Sequence, residues 1–324
     1  MRKVAGLFLV VILMLLVPAL AAADLFGLGM PWGNSWGQAY NGCGGCCDPG
    51  LMSCPSVYIG YEIRQGRERK PFNFGLDFDP PLGVTYRLNT DFSDPGGLWL
   101  GISKYCQIAD KVGIMASGWY LFPADGDAEE SYGFPNVAAG NRVWTTKRSW
   151  GWIDAAMVLG SPCGLNLITG FRWDSYSVGL SNPTPTNPSL PSRGTPLDEG
   201  DLTMNSYIPL IGTQFCCGGP CCGLLVRVLG FPWVPGNLTY GETGFLGITS
   251  RLRAEGNYDT AYFLEVFSEY SRNCFGFGCL GVFARWNYLD VKGHTNQQLH
   301  VGFGPIRTSW TIGGRVALDF NLPF

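Results

Sequence analysis

Four carboxylates are concentrated in the segment that follows Phe122, and they are the first candidates for chemistry. The segment holds Asp125, Asp127, Glu129 and Glu130. Two carboxylates at positions i and i+2 can share a proton or orient a water molecule for hydrolysis. The same residues also suit a solvated loop tip. If the protein is an enzyme, Asp125 and Asp127 are the candidate catalytic residues.

Histidine offers one further source of a general base. The chain has two histidines, His294 and His300, which are close together near its C-terminal end. A histidine beside a carboxylate pair could activate water. The alternative is that both are surface residues with no chemical role.

Cysteine is the third reactive residue type, and the chain holds an even number, 12. An even count in an exported protein predicts disulfides, although a metal site and unpaired thiols remain alternatives because of Cys43-x-x-Cys46 and the doubled cysteines. Attached haem would need a Cys-x-x-Cys-His motif, which is absent, so we expect no cofactor. The disulfide candidates are Cys43, Cys46, Cys47, Cys54, Cys106, Cys163, Cys216, Cys217, Cys221, Cys222, Cys274 and Cys279.

The N-terminus predicts export. Arg2 and Lys3 form a positive region, an apolar stretch follows, and Ala21-Ala22-Ala23 is a cleavage site. We therefore divide the chain into a signal peptide at 1–23, a Cys- and Gly-rich periplasmic segment at 24–55 and a large domain at 56–324. A helical anchor is the alternative interpretation of the first stretch, which is short for that purpose.

The last 19 residues indicate which elements carry these side chains. Between 306 and 324, apolar residues such as Trp310, Ile312 and Val316 alternate with polar ones such as Arg307 and Arg315. Period-two alternation predicts a β-strand with two unlike faces, and this run exceeds the usual 4–8 residues of a half-buried strand. A long strand with an apolar and a charged face is typical of a barrel wall that has lipid outside and a polar lumen inside.

The composition agrees with a membrane barrel. Glycine is abundant at 46 residues, aromatic residues make up 14% and charged residues 15%, and the mean hydropathy is +0.09. Alternation dilutes apolar residues in barrels, whereas a helical membrane bundle would be more hydrophobic. The net charge of −3 gives no basic surface, so we expect no nucleic-acid partner.

The fold class predicted is all-β, a transmembrane antiparallel up-and-down barrel of 10–12 strands. The number of strands is even because both termini of bacterial barrels are periplasmic. It is ten if two of the short candidate strands within 72–106 merge or do not form strands of the wall. Short connections alternate with long loops, which are predicted near 123–147, 181–200, 234–246 and 293–305. Every cysteine falls on the short, periplasmic side. The candidate strands are 57–64, 72–79, 82–89, 98–106, 112–122, 149–159, 165–174, 203–215, 223–233, 258–270, 280–292 and 306–324.

Charged residues on the inward-facing positions of these strands form a second constellation. A barrel this narrow can be filled by its own side chains, so the charges predict either a self-neutralising network or the selectivity lining of a pore. Glu62 and Arg64 of the first strand could join them, and Glu62, Glu265 and Glu269 are the predicted partners of Arg307 and Arg315. The predicted lumenal residues are Arg172, Asp174, Glu265, Glu269, Arg285, Arg307, Arg315 and Asp319.

In order along the chain, several stretches resemble the omptins, which are ten-stranded outer-membrane endopeptidases. The stretches include Gly113 to Trp119, Gly170-Phe171-Arg172, Tyr207 to Gly212 and Arg285-Trp286-Asn287. The resemblance implies an aspartate pair at one side of the barrel mouth, matched by Asp125-Gly126-Asp127, and an Asp–His pair at the other side. That second pair should follow the strand at 223–233, where residues 234–242 contain neither Asp nor His. Without a base, the omptin mechanism is not assembled there.

We therefore expect a Gram-negative outer-membrane barrel that is omptin-like but non-proteolytic: a structural or surface-binding protein, or a narrow pore. The alternatives are a surface endopeptidase with a non-standard site and a diffusive porin. The expected partners are outer-membrane lipid, lipopolysaccharide and the barrel-assembly machinery, for which the C-terminal Phe324 is a predicted signal.

Overall fold

A computed structural model describes the chain at 55–63, 73–78, 86–93, 96–109, 111–134, 137–160, 164–185, 199–217, 223–242, 252–273, 278–295, 301–303 and 306–318. The signal peptide, the Cys-rich segment, Arg64, Asp319 and Phe324 lie outside these residues. The strands are β1 (Ser56–Ile63), β2 (Asn73–Phe78), β3 (Tyr86–Ser93), β4 (Leu98–Ala109), β5 (Val112–Phe134), β6 (Val137–Leu159), β7 (Gly164–Pro185), β8 (Glu199–Cys217), β9 (Gly223–Phe231), β10 (Gly236–Glu242), β11 (Leu252–Asn273), β12 (Gly278–Thr295), β13 (Val301–Phe303) and β14 (Ile306–Leu318).

Ten of these strands close a barrel, which we call the lower ring. Its order is β1-β4-β5-β6-β7-β8-β9-β11-β12-β14, and β14 returns to pair with β1 from Ile63↔Trp310 to Ser56↔Ala317. All neighbouring pairs are antiparallel, and the predicted pairing of the first strand with the last is confirmed. The predicted count resolves to ten because β2 and β3 leave the ring. Closure removes every free strand edge.

A second closed circuit of ten strands stands above the first at the long-loop end, and we call it the upper ring. Six strands belong to both rings: β5, β6, β7, β8, β11 and β12. In the upper ring, the positions of β4, β1 and β14 are taken by β3, β2 and β13, and the position of β9 is taken by β10. The change from β9 to β10 falls at 232–235, where Pro232 and Pro235 cannot donate to the ladder. At 23 residues, β5 extends for roughly 75 Å, whereas a membrane-spanning strand needs only about 9–11 residues.

The predicted long loop at 123–147 is therefore wrong. The ladder between β5 and β6 continues from Ala124↔Arg148 to Tyr132↔Gly140, so the acidic residues lie in a strand. Pro123 falls at a register shift between Leu121 and Ala124, a position in which a sheet tolerates proline. Strands β10 and β13 also lie in segments predicted to be loops, since neither shows a long apolar alternation.

Burial alternates along the wall as a barrel requires. On β14, Arg307, Thr311 and Arg315 face the interior, whereas Ile312 and Val316 lie outside at 47% and 41% exposure. The outward apolar residues of the lower ring form a belt that includes Ile59, Ile102, Ile153, Leu167, Phe171, Trp173, Tyr207, Ile211, Tyr262 and Val282. Aromatic residues of this belt lie towards the upper ring, where a membrane boundary is usually marked by an aromatic girdle. Within the described residues, no helix has the length and apolar character needed to cross a membrane.

Candidate functional site

The interior of the lower ring holds three layers of buried charge, and the layer nearest the short turns is centred on Glu269. Arg315 Nη1 lies 2.7 Å from Glu269 Oε1, and the Tyr58 hydroxyl donates to Glu269 Oε2 at 3.0 Å. Arg315 also donates to Ser56 Oγ at 2.7 Å and to Ser271 Oγ at 2.9 Å. This layer joins three strands. Arg315 of β14 links the last strand of the ring to the first strand, β1, and to β11, which lies opposite β5.

The middle layer is a chain of two arginines and two carboxylates. Arg172 Nε lies 2.6 Å from Asp154 Oδ1, and Arg172 Nη2 lies 2.9 Å from Glu265 Oε2. Arg227 Nη2 approaches Glu265 Oε1 at 3.1 Å, and Ser117 donates to Asp154 at 2.9 Å. Both carboxylates and Arg172 are almost completely buried. The chain crosses the lumen from β6 and β7 to β9 and β11.

The layer nearest the mouth contains two separate pairs. Arg148 Nη2 lies 2.6 Å from Glu62 Oε2, and Arg307 Nη2 lies 2.8 Å from Asp174 Oδ1. The Trp150 indole N–H donates to Asp174 at 2.9 Å, and the Arg307 guanidinium lies 4.1 Å from the centre of the Trp150 ring. Each pair connects distant strands, so these contacts hold the circumference of the barrel as well as neutralising charge.

Tryptophans fill the space between the layers and enclose one further arginine, Arg285. Its guanidinium carbon lies 3.5 Å from the ring centre of Trp119, 4.5 Å from that of Trp152 and 5.6 Å from that of Trp99. Arg285 is fully buried, and none of its guanidinium nitrogens has a hydrogen-bond partner in the described part of the chain. Gly101 makes room for this cage, since a Cβ there would collide with the Trp119 ring.

Together these contacts occupy much of the lumen of the lower ring. At the short-turn end a cavity of about 60 Å³ remains, bordered by Tyr58, Arg227 and Arg315 among others. A single water needs about 10–15 Å³ on this measure, so the cavity has room for a few waters. Above it, the middle layer and the tryptophan cage occupy the cross-section. The arrangement is the filled barrel that a strand number of ten allows.

The predicted catalytic carboxylates do not face this interior. Asp125 and Asp127 are exposed, and they lie opposite Lys147 and Thr145 on β6. The neighbouring residues of β6, Thr146 and Arg148, are buried. Successive residues of a strand point to opposite faces. Asp125 and Asp127 therefore lie on the outer face of the upper ring, above the apolar belt.

An Asp–His pair does exist, in a place that the sequence comparison with omptins did not indicate. His294 Nδ1 contacts Asp259 Oδ2 on the outer face of β11 and β12, and both side chains are exposed, at 65% and 51%. Asp259 is the extra residue of a β-bulge between Tyr258 and Thr260, a feature that redirects side chains. The pair is not visible in the sequence, because His294 lies beyond the predicted end of its strand and has no strand partner there.

The two sets of residues are on opposite walls. Strand β5 and strand β11 are separated by five strand steps in either direction around the ring of ten. Because Asp125 and Asp127 point outward from one wall while His294 and Asp259 point outward from the other, the barrel separates them. The structure thus does not bring His294 to the aspartate pair, and a single bound water cannot contact both sets.

The described cysteines lie at the short-turn ends of their strands. Cys279 is in a disulfide, whereas Cys106 and Cys216 carry thiols, which differs from the disulfides predicted for these two. Neither has a cysteine as its neighbour in the described ladders: Cys106 lies opposite Ile114, and Cys216 lies between Gly164 and Leu225. Cys217 is described by its backbone in β8, and the remaining cysteine candidates lie outside the described residues. No cluster of three potential metal ligands occurs in the described ranges.

Of the lumenal charges predicted from the sequence, all but Asp319 are described, and all of those are buried inside the barrel. Three others were missed: Arg148, Asp154 and Arg227. Arg148 precedes the predicted start of its strand, and the strand containing Arg227 has an uneven alternation. Asp154 is six residues from Arg148, and this even spacing places both side chains on the same, inward face of β6.

The geometry defines a closed antiparallel ten-stranded barrel with a charged, filled lumen, and comparison with solved structures places it among outer-membrane barrel folds. The outer membrane protease OmpT of Escherichia coli matches with a TM-score of 0.57 and 11% identity, over 83% of this chain and 98% of OmpT. The outer membrane protein OprG of Pseudomonas aeruginosa matches with a TM-score of 0.32 and 9% identity, over 84% and 99%. The predicted omptin-like fold is confirmed, and at this identity the likeness concerns the fold alone. No family model and no curated protein matches the chain.

Proposed function

We propose that this protein is a non-proteolytic barrel of the outer membrane of a Gram-negative bacterium, with a structural or surface-binding role. The apolar belt supports the location, because outward residues such as Ile153 and Phe171 are exposed on a wall whose inward residues are charged. A soluble protein would pay heavily for so many exposed apolar side chains. The signal peptide at 1–23 is the export route in this proposal, and assembly machinery and lipopolysaccharide are the expected partners.

The filled lumen is the observation that carries the proposal. The chain Asp154–Arg172–Glu265–Arg227 and the cage around Arg285 occupy the cross-section, which argues against a diffusive porin. The large upper ring then provides the surface that meets the medium. Its outer face carries Asp125, Asp127 and Lys147, and this polar surface suits contact with lipopolysaccharide headgroups or another cell-surface component.

Proteolysis finds little support in the geometry. A water-activating site needs the carboxylates and the base around one position, within hydrogen-bond reach of the same water. Here the aspartates on β5 and the Asp259–His294 pair on β11 and β12 lie on opposite outer faces.

Two measurements on the purified, refolded barrel test the proposal. In a planar bilayer it should give no steady porin-type conductance. Incubated with a peptide containing paired basic residues, it should leave the peptide intact, and Asp127→Ala and His294→Ala variants should behave identically. Peptide cleavage that disappears in either variant would overturn the non-proteolytic assignment, and discrete conductance steps in the unmodified protein would overturn the closed lumen.

A further inference from the structure

Among the described residues, the lumen of the lower ring has six buried arginines and five buried carboxylates, and the pairing identifies which arginine has no carboxylate partner. The buried carboxylates are Glu62, Asp154, Asp174, Glu265 and Glu269, and the buried arginines are Arg148, Arg172, Arg227, Arg285, Arg307 and Arg315. Five arginines contact the five carboxylates in the three layers described above. Among the described residues, Arg285 makes no such contact.

The wall beside Arg285 is lined with polar groups that have no hydrogen-bond partner in the described part of the protein. Asn287 follows Arg285 on the same face of β12, and Thr311 and Ser309 lie directly opposite these two residues on β14. All four side chains are at least nine-tenths buried. The unpartnered atoms are the three guanidinium nitrogens of Arg285, the amide nitrogen and oxygen of Asn287, and the hydroxyls of Ser309 and Thr311.

The tryptophan cage adds further donors at the same level. The indole N–H groups of Trp99 and Trp152 are buried and unpartnered within the described ranges, and both rings lie against the Arg285 guanidinium. The aromatic faces attract the cation. They do not accept its N–H groups in the geometry of an ordinary hydrogen bond, so a buried guanidinium here keeps most of its desolvation cost.

The chemistry of these groups selects the class of ligand. Guanidinium and indole nitrogens are donors only, and hydroxyl and amide groups can donate as well. A water molecule placed among these groups would leave the excess positive charge in place. A small anion accepts from guanidinium, amide N–H and hydroxyl donors and neutralises the unmatched arginine.

We propose that the lumen binds one halide-sized monovalent anion between β12 and β14, held by Arg285 with Asn287, Ser309 and Thr311. The anion balances the charge of the buried arginines and carboxylates that the structure describes. It also gives the protein a saturable dependence on the identity of the anion in solution, whereas screening of surface charge depends on ionic strength.

The tryptophan cage supplies a direct measurement, because bound iodide quenches nearby tryptophan fluorescence. The full-length barrel is refolded into detergent at constant ionic strength with increasing potassium iodide in place of potassium gluconate. We expect a saturable quenching component that chloride competes away, on top of linear quenching from exposed tryptophans such as Trp233, which is 71% exposed. In Arg285→Met the saturable component should be lost, and the linear one should remain.

A milder variant guards against misfolding of Arg285→Met. Thr311→Val keeps the volume and the arginine but removes one donor, so half-saturation by iodide should move to a concentration at least about tenfold higher. The thermal unfolding midpoint of the unmodified protein should also rise with chloride relative to gluconate at the same ionic strength. Linear quenching alone in the unmodified protein, or an unfolding midpoint that follows ionic strength irrespective of the anion, would overturn the proposal.

Discussion

The lumen of the lower ring and the outer face of the upper ring use similar contacts for different ends. Inside, the side chains of Arg172 and its two carboxylates are at least 99% buried, and Arg172 lies within 2.9 Å of both Asp154 and Glu265. Outside, the side chains of His294 and Asp259 are 65% and 51% exposed. Buried charges have exchanged water for each other, so losing one partner leaves the other without solvation. Exposed partners that separate simply return to water.

This difference explains why the buried ion pairs of the lumen, rather than the exposed residues at the mouth, determine how the strands are arranged. The ion pairs of the lumen link strands that are far apart in sequence, such as Glu62 with Arg148 and Asp174 with Arg307. Each pair is satisfied in one arrangement of the ring, so together they specify the register of the wall. The outer residues add polar surface without constraining the fold, which leaves that surface available for contact with partners.

The largest expected effect comes from unpairing the middle layer. Arg172→Met should destabilise the barrel by about 3–5 kcal/mol, because Asp154 and Glu265 then remain buried with less compensation. Urea titration of the refolded protein, followed by tryptophan fluorescence, measures the loss. Lys147→Met on the outer face of β6 is the matched control and should change stability by less than about 0.5 kcal/mol.

A second variant sharpens the interpretation of that result. Adding Asp154→Asn to Arg172→Met removes one of the two uncompensated charges and should recover part of the lost stability. If Arg172→Met costs no more than Lys147→Met, the lumen is hydrated well enough to solvate its charges, and the contrast between interior and outer face fails.

The next effect concerns two outward surfaces, the belt and the upper ring. Ile312→Arg places a charge on the lipid-facing wall of β14 and should cost about 2–4 kcal/mol if it lies near the bilayer midplane. Asp125→Arg, on the outer face of the upper ring, should be within about 0.5 kcal/mol of the unmodified protein. Urea titration in lipid vesicles measures both. Equal costs would contradict the assignment of the belt to lipid and of the upper ring to water.

Alternation made the wall of the barrel predictable from sequence. The period of two on β14 identified both faces, including the inward Arg307 and Arg315, because a strand between lipid and a polar lumen must alternate. The return of this strand to β1 followed from closure. The sequence limits the number of strands in the wall to 10–12 but does not fix it at ten. Strands β2 and β3 alternate much as the wall strands do, and only their pairing with β13 and β5 excludes them from the lower ring.

The partners within the lumen could be predicted only in part. Arg315 does contact Glu269, as expected, but Arg307 contacts Asp174 and not a glutamate of β1 or β11. Shear of the ring decides which inward residues share a level, and shear is not visible in the alternation of a single strand. The upper ring was missed for a related reason: its short strands β10 and β13 are paired with the longer strands beside them, and their own sequences carry a weak signal.

The smallest expected effect is at the exposed Asp–His pair, and it tests the comparison most directly. A double-mutant cycle of Asp259→Ala and His294→Ala should give a coupling free energy of about 0–1 kcal/mol, because solvent competes for both side chains and salt screens them. The same cycle on Arg315→Met and Glu269→Gln should give a coupling several times larger, since both partners are buried and each has a further hydrogen bond, Glu269 with Tyr58 and Arg315 with Ser271. Raising the salt concentration should abolish the first coupling and leave the second nearly unchanged. A strong, salt-resistant coupling at His294 would indicate that the bulge at Asp259 holds a preorganised pair, and the upper ring would then have to be reconsidered as the place where chemistry occurs.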